Sequence, residues 1–146
     1  MRVIYLWQGD SASELSRCVT HVQSLPNSLS ELPHSPARAE IEELLGQNLD
    51  QDTLDCLRMA MLYVASDLQI KLEELKKDNY KFFVQEGSLR KMARKAAEKR
   101  DNLTTMLEAA KESRIKNARR LILTGYRLGA NIFAEMLLEN YGQEAV

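Results

Sequence analysis

The sequence predicts an all-α domain: a helical bundle of four to five helices, two of them long, preceded by a short extended N-terminal arm. Three observations predict it. Gly and Pro together hold only nine of 146 positions, about half their ordinary share. All three prolines, Pro26, Pro33 and Pro36, stand in the first quarter, and the remaining chain is free of the residue that most reliably interrupts a helix. Through that remainder, apolar side chains return every three or four positions. The composition, 45% hydrophobic and 28% charged, is that of a globular chain. A chain of this length buries about two-thirds of its unfolded surface without covalent staples, so a single domain over 1–146 is expected.

Residues 1–10 contain MRVIYLW, the one run of strand-like composition. A lone strand is unstable in water, so this run is expected to form an extended arm packed on the bundle. It is also shorter than a signal-peptide core and lacks a small-residue cleavage site after it. Ser11 with Glu14 forms an S-x-x-E capping box for a helix reaching about Leu25, with Leu15, Val19 and Val22 on one face. The run PNSLSELPHS, 26–35, reads as a loop. Ser35 and Pro36 then supply the N-cap and first residue of a short helix ending near Leu45.

Asp50 or Asp52 opens the first long helix. Its stripe of Leu54, Leu57, Met61, Val64, Leu68, Leu72 and Leu75 is close to a heptad and is expected to run to Phe82 or Phe83, where Gly87 stops it. Gly9, Gly46, Gly87 and Gly142 all fall where apolar periodicity ends. From Ser88 the helical pattern continues almost to Tyr141. Unbroken it would span about 75 Å, too long for this domain, so a break with an antiparallel return is expected at Asp101–Asn102 or near Ser113.

The net charge of -1 conceals a partition. Residues 88–127 hold twelve basic and four acidic residues, whereas residues 1–87 hold eight basic and fourteen acidic. Lys91, Arg94, Lys95 and Lys99 recur at helical spacing and form a ridge; with Arg90, Arg100, Lys116, Arg119 and Arg120 they are the candidate nucleic-acid-binding residues. Such a ridge could neutralise phosphates along a nucleic acid without reading its sequence. Equally, it could meet the acidic AEIEE and LDQDTLD segments at a solvated rim. The 90–120 stretch has no aromatic residue to stack on bases, and no zinc-finger or RNP signature is present.

Catalytic chemistry finds little footing. Only His21 and His34 are present, and no nucleophile-elbow, Walker or dinucleotide-binding pattern occurs. Glu14, Cys18 and His21 share a helical face and are all metal-capable types, but a closed site needs a fourth ligand, and a buried cysteine beside a surface histidine accounts for the pattern. Asp50, Asp52 and Asp55 lack the glycine and terminal glutamate of a calcium loop and suit a helix N-terminus. No cofactor, metal or catalytic residue is therefore expected.

The last helix is the most informative stretch. Thr124, Arg127, Asn131 and Glu135 form a narrow polar strip, read as a solvated edge, and apolar side chains cover the rest. Gly125 and Gly129 permit close approach of another helix. Together with Ile132, Phe133 and Met136 they mark either intrachain packing or a self-association face. The mid-span Arg127, Asn131 and Glu135 argue against a membrane helix. The functional expectation is a non-enzymatic helical protein-interaction module, self-associating, cytoplasmic and without a membrane partner; the alternative is a nucleic-acid-binding protein using the ridge.

Overall fold

The computed structural model describes residues 3–5, 11–78 and 83–141. In chain order the elements are β1 (Val3–Tyr5), α1 (Ser11–Gln23), a 3-10 turn (Leu29–Glu31), α2 (Pro36–Leu45), α3 (Gln51–Asp78), β2 (Phe83–Gln85), α4 (Glu86–Glu98), α5 (Leu103–Glu112) and α6 (Ala118–Tyr141). The all-α class and the two long helices stand, but the described residues hold six α-helices rather than four or five. The difference lies after Ser88, where the sequence suggested one break in the helical run and the chain makes both, at residues 99–102 and 113–117.

The break near Ser113 has a clear local cause. Arg114 adopts a left-handed φ of 57°, and the amides of Arg114 and Ile115 turn back to the carbonyls of Lys111 and Ala110 at 3.1 and 3.0 Å. That pair of bonds is a Schellman closure, satisfying the terminal carbonyls of α5. Asn117, also left-handed at 53°, then accepts from the Leu121 amide at 3.0 Å and starts α6.

The other helix starts follow the expected chemistry. Ser35 Oγ accepts from the Arg38 amide at 3.2 Å with Pro36 in the first turn. Asp50 Oδ1 accepts from the Thr53 amide at 2.8 Å and opens α3; this bond holds the Asp50 carboxyl below its ordinary pKa. The capping box at Ser11 falls on a side chain outside the described ones; Glu14 is buried and accepts from Arg17 at 3.4 Å. The 26–35 loop contains the 3-10 turn, tied down by Ser28 Oγ donating to the His21 carbonyl.

Two expectations about α3 and the arm are corrected together. The helix ends at Asp78 instead of reaching Phe82 or Phe83, because Phe83–Gln85 is a strand that pairs antiparallel with β1, Val3 opposite Gln85 and Tyr5 opposite Phe83. The arm is thus a ribbon strand with its own partner, which answers the instability of a lone strand. Gly87 does not stop a helix either: it lies in the first turn of α4. Gly9 and Gly142 lie outside the described residues.

The core centres on α6, which packs most extensively on α3, then on α4. Leu57, Met61, Val64, Leu68 and Leu72 of α3 meet Ile122, Tyr126, Ile132, Phe133, Met136 and Leu137 of α6, all with no exposed surface. Two glycines set the distance between these helices. A Cβ on Gly125 would stand 2.6 Å from the Ala60 Cβ, and one on Gly129 would stand 2.2 Å from the Met61 carbonyl oxygen. The second obstacle is backbone, which cannot swing aside. Among the described residues one helix, within Ala118–Glu139, is long and apolar enough to cross a membrane, yet 67% of that window is buried in the bundle.

Candidate functional site

Because α6 is wrapped on several sides, its residues sort by direction. The face carrying Gly125, Gly129, Ile132, Phe133 and Met136 is spent inside the chain, where all five are buried. These residues are not a surface, which corrects their reading as a self-association interface: the close approach that the glycines permit is made by α3 of the same chain. The polar strip on the other side has a more interesting fate. It does not lie at an open edge but runs along a trench, walled by α2 and α4 at one end and by α2 and the start of α3 at the other.

The trench holds two hollows. The first, about 520 Å³, lies between the N-terminal end of α2, the flank of α4 and α6, and is lined by Arg90, Arg94, Arg100 and Arg127, by Asn131, by Glu98 and Glu135, and by apolar Pro36, Ala93, Ala97, Leu123 and Ala134. The second, about 420 Å³, lies at the other end of α2 and includes Glu40, Glu43, Thr53, Lys116, Arg120 and Thr124. Both volumes fall in the range of ordinary ligand clefts.

Between them stands a bidentate ion pair. Arg127 Nη1 and Nη2 donate to Glu40 Oε2 and Oε1 at 2.7 and 2.6 Å, pinning the middle of α2 to α6. The bonds from Arg127 hold the Glu40 carboxyl below its ordinary pKa, and those same bonds raise that of the guanidinium. Glu40 belongs to the AEIEE segment, so one of the two acidic partners anticipated for the basic residues is used. The LDQDTLD segment is not: Asp55 pairs with Arg58 at 3.2 Å on its own helix.

The nine candidate residues are all exposed, but they do not form one continuous ridge. Arg90, Arg94 and Arg100 line the first hollow, whereas Lys95 and Lys99 line a third depression on the opposite flank of α4, with Asp67, Ile70 and Lys71. Two of the nine are engaged. Arg90 donates to Glu135 and, at 3.0 Å, to Glu86; bonding to Glu135 is the main reason its pKa is raised. Lys99 meets Asp67 at 3.3 Å and Asp101 at 3.6 Å. Lys91, Arg94, Lys95, Arg100, Lys116, Arg119 and Arg120 have no ion-pair partner among the described residues.

The Glu14, Cys18 and His21 face offers no reactive group. Cys18 is fully buried, and burial pushes its thiol up to about 12. His21 Nδ1 sits 3.0 Å from Glu31, a partner in the 3-10 turn. No cluster of three or more His, Cys, Asp or Glu suited to a metal occurs among the described residues. No family model matches the chain, no curated protein matches its sequence, and no solved structure matches its fold.

What sequence reasoning missed is the convergence of α2 and α4 on the polar strip. Arg90 and Arg94 share a face by spacing alone, but the join of Arg127 to Glu40 spans 87 positions, and no local pattern announces it.

Proposed function

We propose that this chain is a non-catalytic helical interaction module whose cationic face, carried by α4 and the turn after it, engages an acidic segment of a protein partner. The observation that supports this reading is the set of exposed cations with no ion-pair partner among the described residues: Lys91, Arg94, Lys95 and Arg100. Lys91 and Lys95 are like charges at i, i+4, a spacing that costs a helix about 0.2–0.5 kcal/mol. A surface that carries such a repulsion is accounted for by an anionic partner that relieves it. The proposed setting is the cytoplasm, where two free, buried cysteines suit reducing conditions.

The test is binding of a synthetic glutamate-rich peptide, measured by fluorescence anisotropy at 50 and 300 mM salt. Binding that weakens at the higher salt, and by more than tenfold on Arg94→Glu with Lys95→Glu, supports the reading. A peptide that fails to bind at low salt, or that ignores the double reversal, refutes it.

A second reading, nucleic-acid binding, is favoured by one observation: exposed cations without an ion-pair partner among the described residues continue beyond α4 at Lys116, Arg119 and Arg120. It predicts a steep fall of duplex affinity with salt, reduced by reversing charges in both clusters. The only aromatic residue between 88 and 127, Tyr126, is buried, so affinity for single strands by base stacking is not expected.

A further inference from the structure

The geometry points to the hollow between α2, α4 and α6 as a binding site for a phosphate monoester, with Arg94 and Arg100 as the groups that take the phosphate.

The first argument is a sorting of cation types that no helical periodicity requires. Every cation lining this hollow is an arginine: Arg90, Arg94, Arg100 and Arg127. The lysines of α4 that line a depression, Lys95 and Lys99, are on the other flank, beside Lys71. A guanidinium offers a planar fork of donors that matches two oxygens of a phosphate, whereas an ammonium is a hydrated point charge. The hollow is therefore equipped for an oxyanion of fixed geometry, and the lysine flank is not.

Charge balance narrows the class. Arg90 and Arg127 are offset by Glu135, Glu86 and Glu40, so the charge open to a ligand is that of Arg94 and Arg100, which share the lining with Glu98. A carboxylate supplies one compensating charge; a phosphate monoester supplies about 1.5–2 near neutral pH. The roles also divide. Arg90 and Arg127 are already fixed by Glu135, Glu86 and Glu40, and they brace the floor. Arg94 and Arg100 are exposed and have no ion-pair partner among the described residues, so an incoming dianion breaks no ion pair there to reach them. Apolar Ala93, Ala97 and Leu123 beside them suit the carbon skeleton that carries the phosphate.

This site deepens the interaction reading and rests on it for one source of the phosphate, a phosphorylated side chain of a protein partner; the other source is a free phosphorylated small molecule. The test follows the arginine Nε–H signals of the full chain by NMR during titration with phenyl phosphate at low ionic strength. Saturable shifts of Arg94 and Arg100 are expected, together with at least a tenfold loss of affinity in Arg94→Gln/Arg100→Gln. The control Lys77→Gln/Lys111→Gln removes the same charge from exposed positions outside the cationic face and should change affinity by less than twofold. Urea midpoints of both variants matching that of the parent chain establish that the fold is kept.

Absence of saturation, or equal losses in the two variants, overturns the site. A glutamate-rich peptide is then compared with and without one phosphoserine. A phosphopeptide bound at least tenfold tighter than phenyl phosphate assigns the site to a phosphorylated partner; equal affinities assign it to a small phosphate ester. A peptide bound equally well with and without its phosphate, and indifferent to loss of Arg94 and Arg100, overturns the phosphate site and leaves the interaction reading standing. Phenyl phosphate bound with no affinity for either peptide does the reverse.

Discussion

The two sides of α6 solve opposite problems. Toward α3 the helix presents Gly125, Gly129, Phe133 and Leu137, and the helices approach until the Met61 backbone occupies the space a side chain at 129 would need. Toward α2 and α4 it presents Thr124, Arg127, Asn131 and Glu135, and the neighbours stand off far enough to leave two hollows. The closed side is held by burial, which is strong and is not screened as ion pairs are. The polar strip on the open side is held by ion pairs with partly exposed members, which add little stability and are screened, while buried Ile41, Leu89 and Ala93 anchor α2 and α4 themselves. Stability and binding capacity are therefore carried by different flanks of one helix, and mutations should separate them.

The largest separation is expected from the closed side. Phe133→Ala should lower unfolding free energy by about 3–5 kcal/mol, the usual loss for a fully buried aromatic ring, read from urea denaturation. A change below about 1 kcal/mol would show that the seam is not the core. Next comes a pair of glycine substitutions. Gly129→Ala should destabilise by about 1–3 kcal/mol through overpacking against backbone, despite the better helix propensity of alanine. Gly87→Ala, where a Cβ meets nothing within 4 Å, should be neutral or stabilising by up to about 1 kcal/mol. If the two behave alike, the close approach of α3 and α6 is wrong.

The smallest effect belongs to the open side. The pKa of Glu40 is depressed in the folded chain, chiefly by its hydrogen bonds from Arg127. A depressed carboxyl contributes stability above its unfolded pKa, and that contribution disappears as pH falls through the folded value. With both partners partly exposed, Glu40→Gln should cost no more than about 1 kcal/mol at pH 7. The difference from the parent chain should shrink on acidification into the carboxylate range. A difference that stays constant down to pH 3 would remove the ion pair from the account.

The same division explains what could be read from the sequence. Helices announce themselves through local periodicity, so the Leu54-to-Leu75 stripe and the Ser35–Pro36 start were legible, as was the exceptional breadth of apolar cover on the last helix. Gly125 and Gly129 signalled a close approach, but the residue they approach is decided by tertiary packing; the partner proved to be Ala60 and Met61, not a second copy. Gly87 misled because a glycine in the first turn of a helix carries the same local signature as one just past an end. The β1–β2 ribbon was illegible for a related reason: a three-residue strand has too few positions to show alternation, and its mate lies some eighty residues away. The trench was hidden most deeply, since its walls come from three separate helices.

Gly129 also leaves a mark that outlasts the rest of the sequence. Surface charges and loop lengths drift freely between distant cousins, but two rods this close admit no bulk where they touch. Any chain sharing this architecture, however altered elsewhere, should show tiny residues at the positions equivalent to 60, 125 and 129. That trio, rather than overall resemblance, is the pattern by which its kin can be recognised.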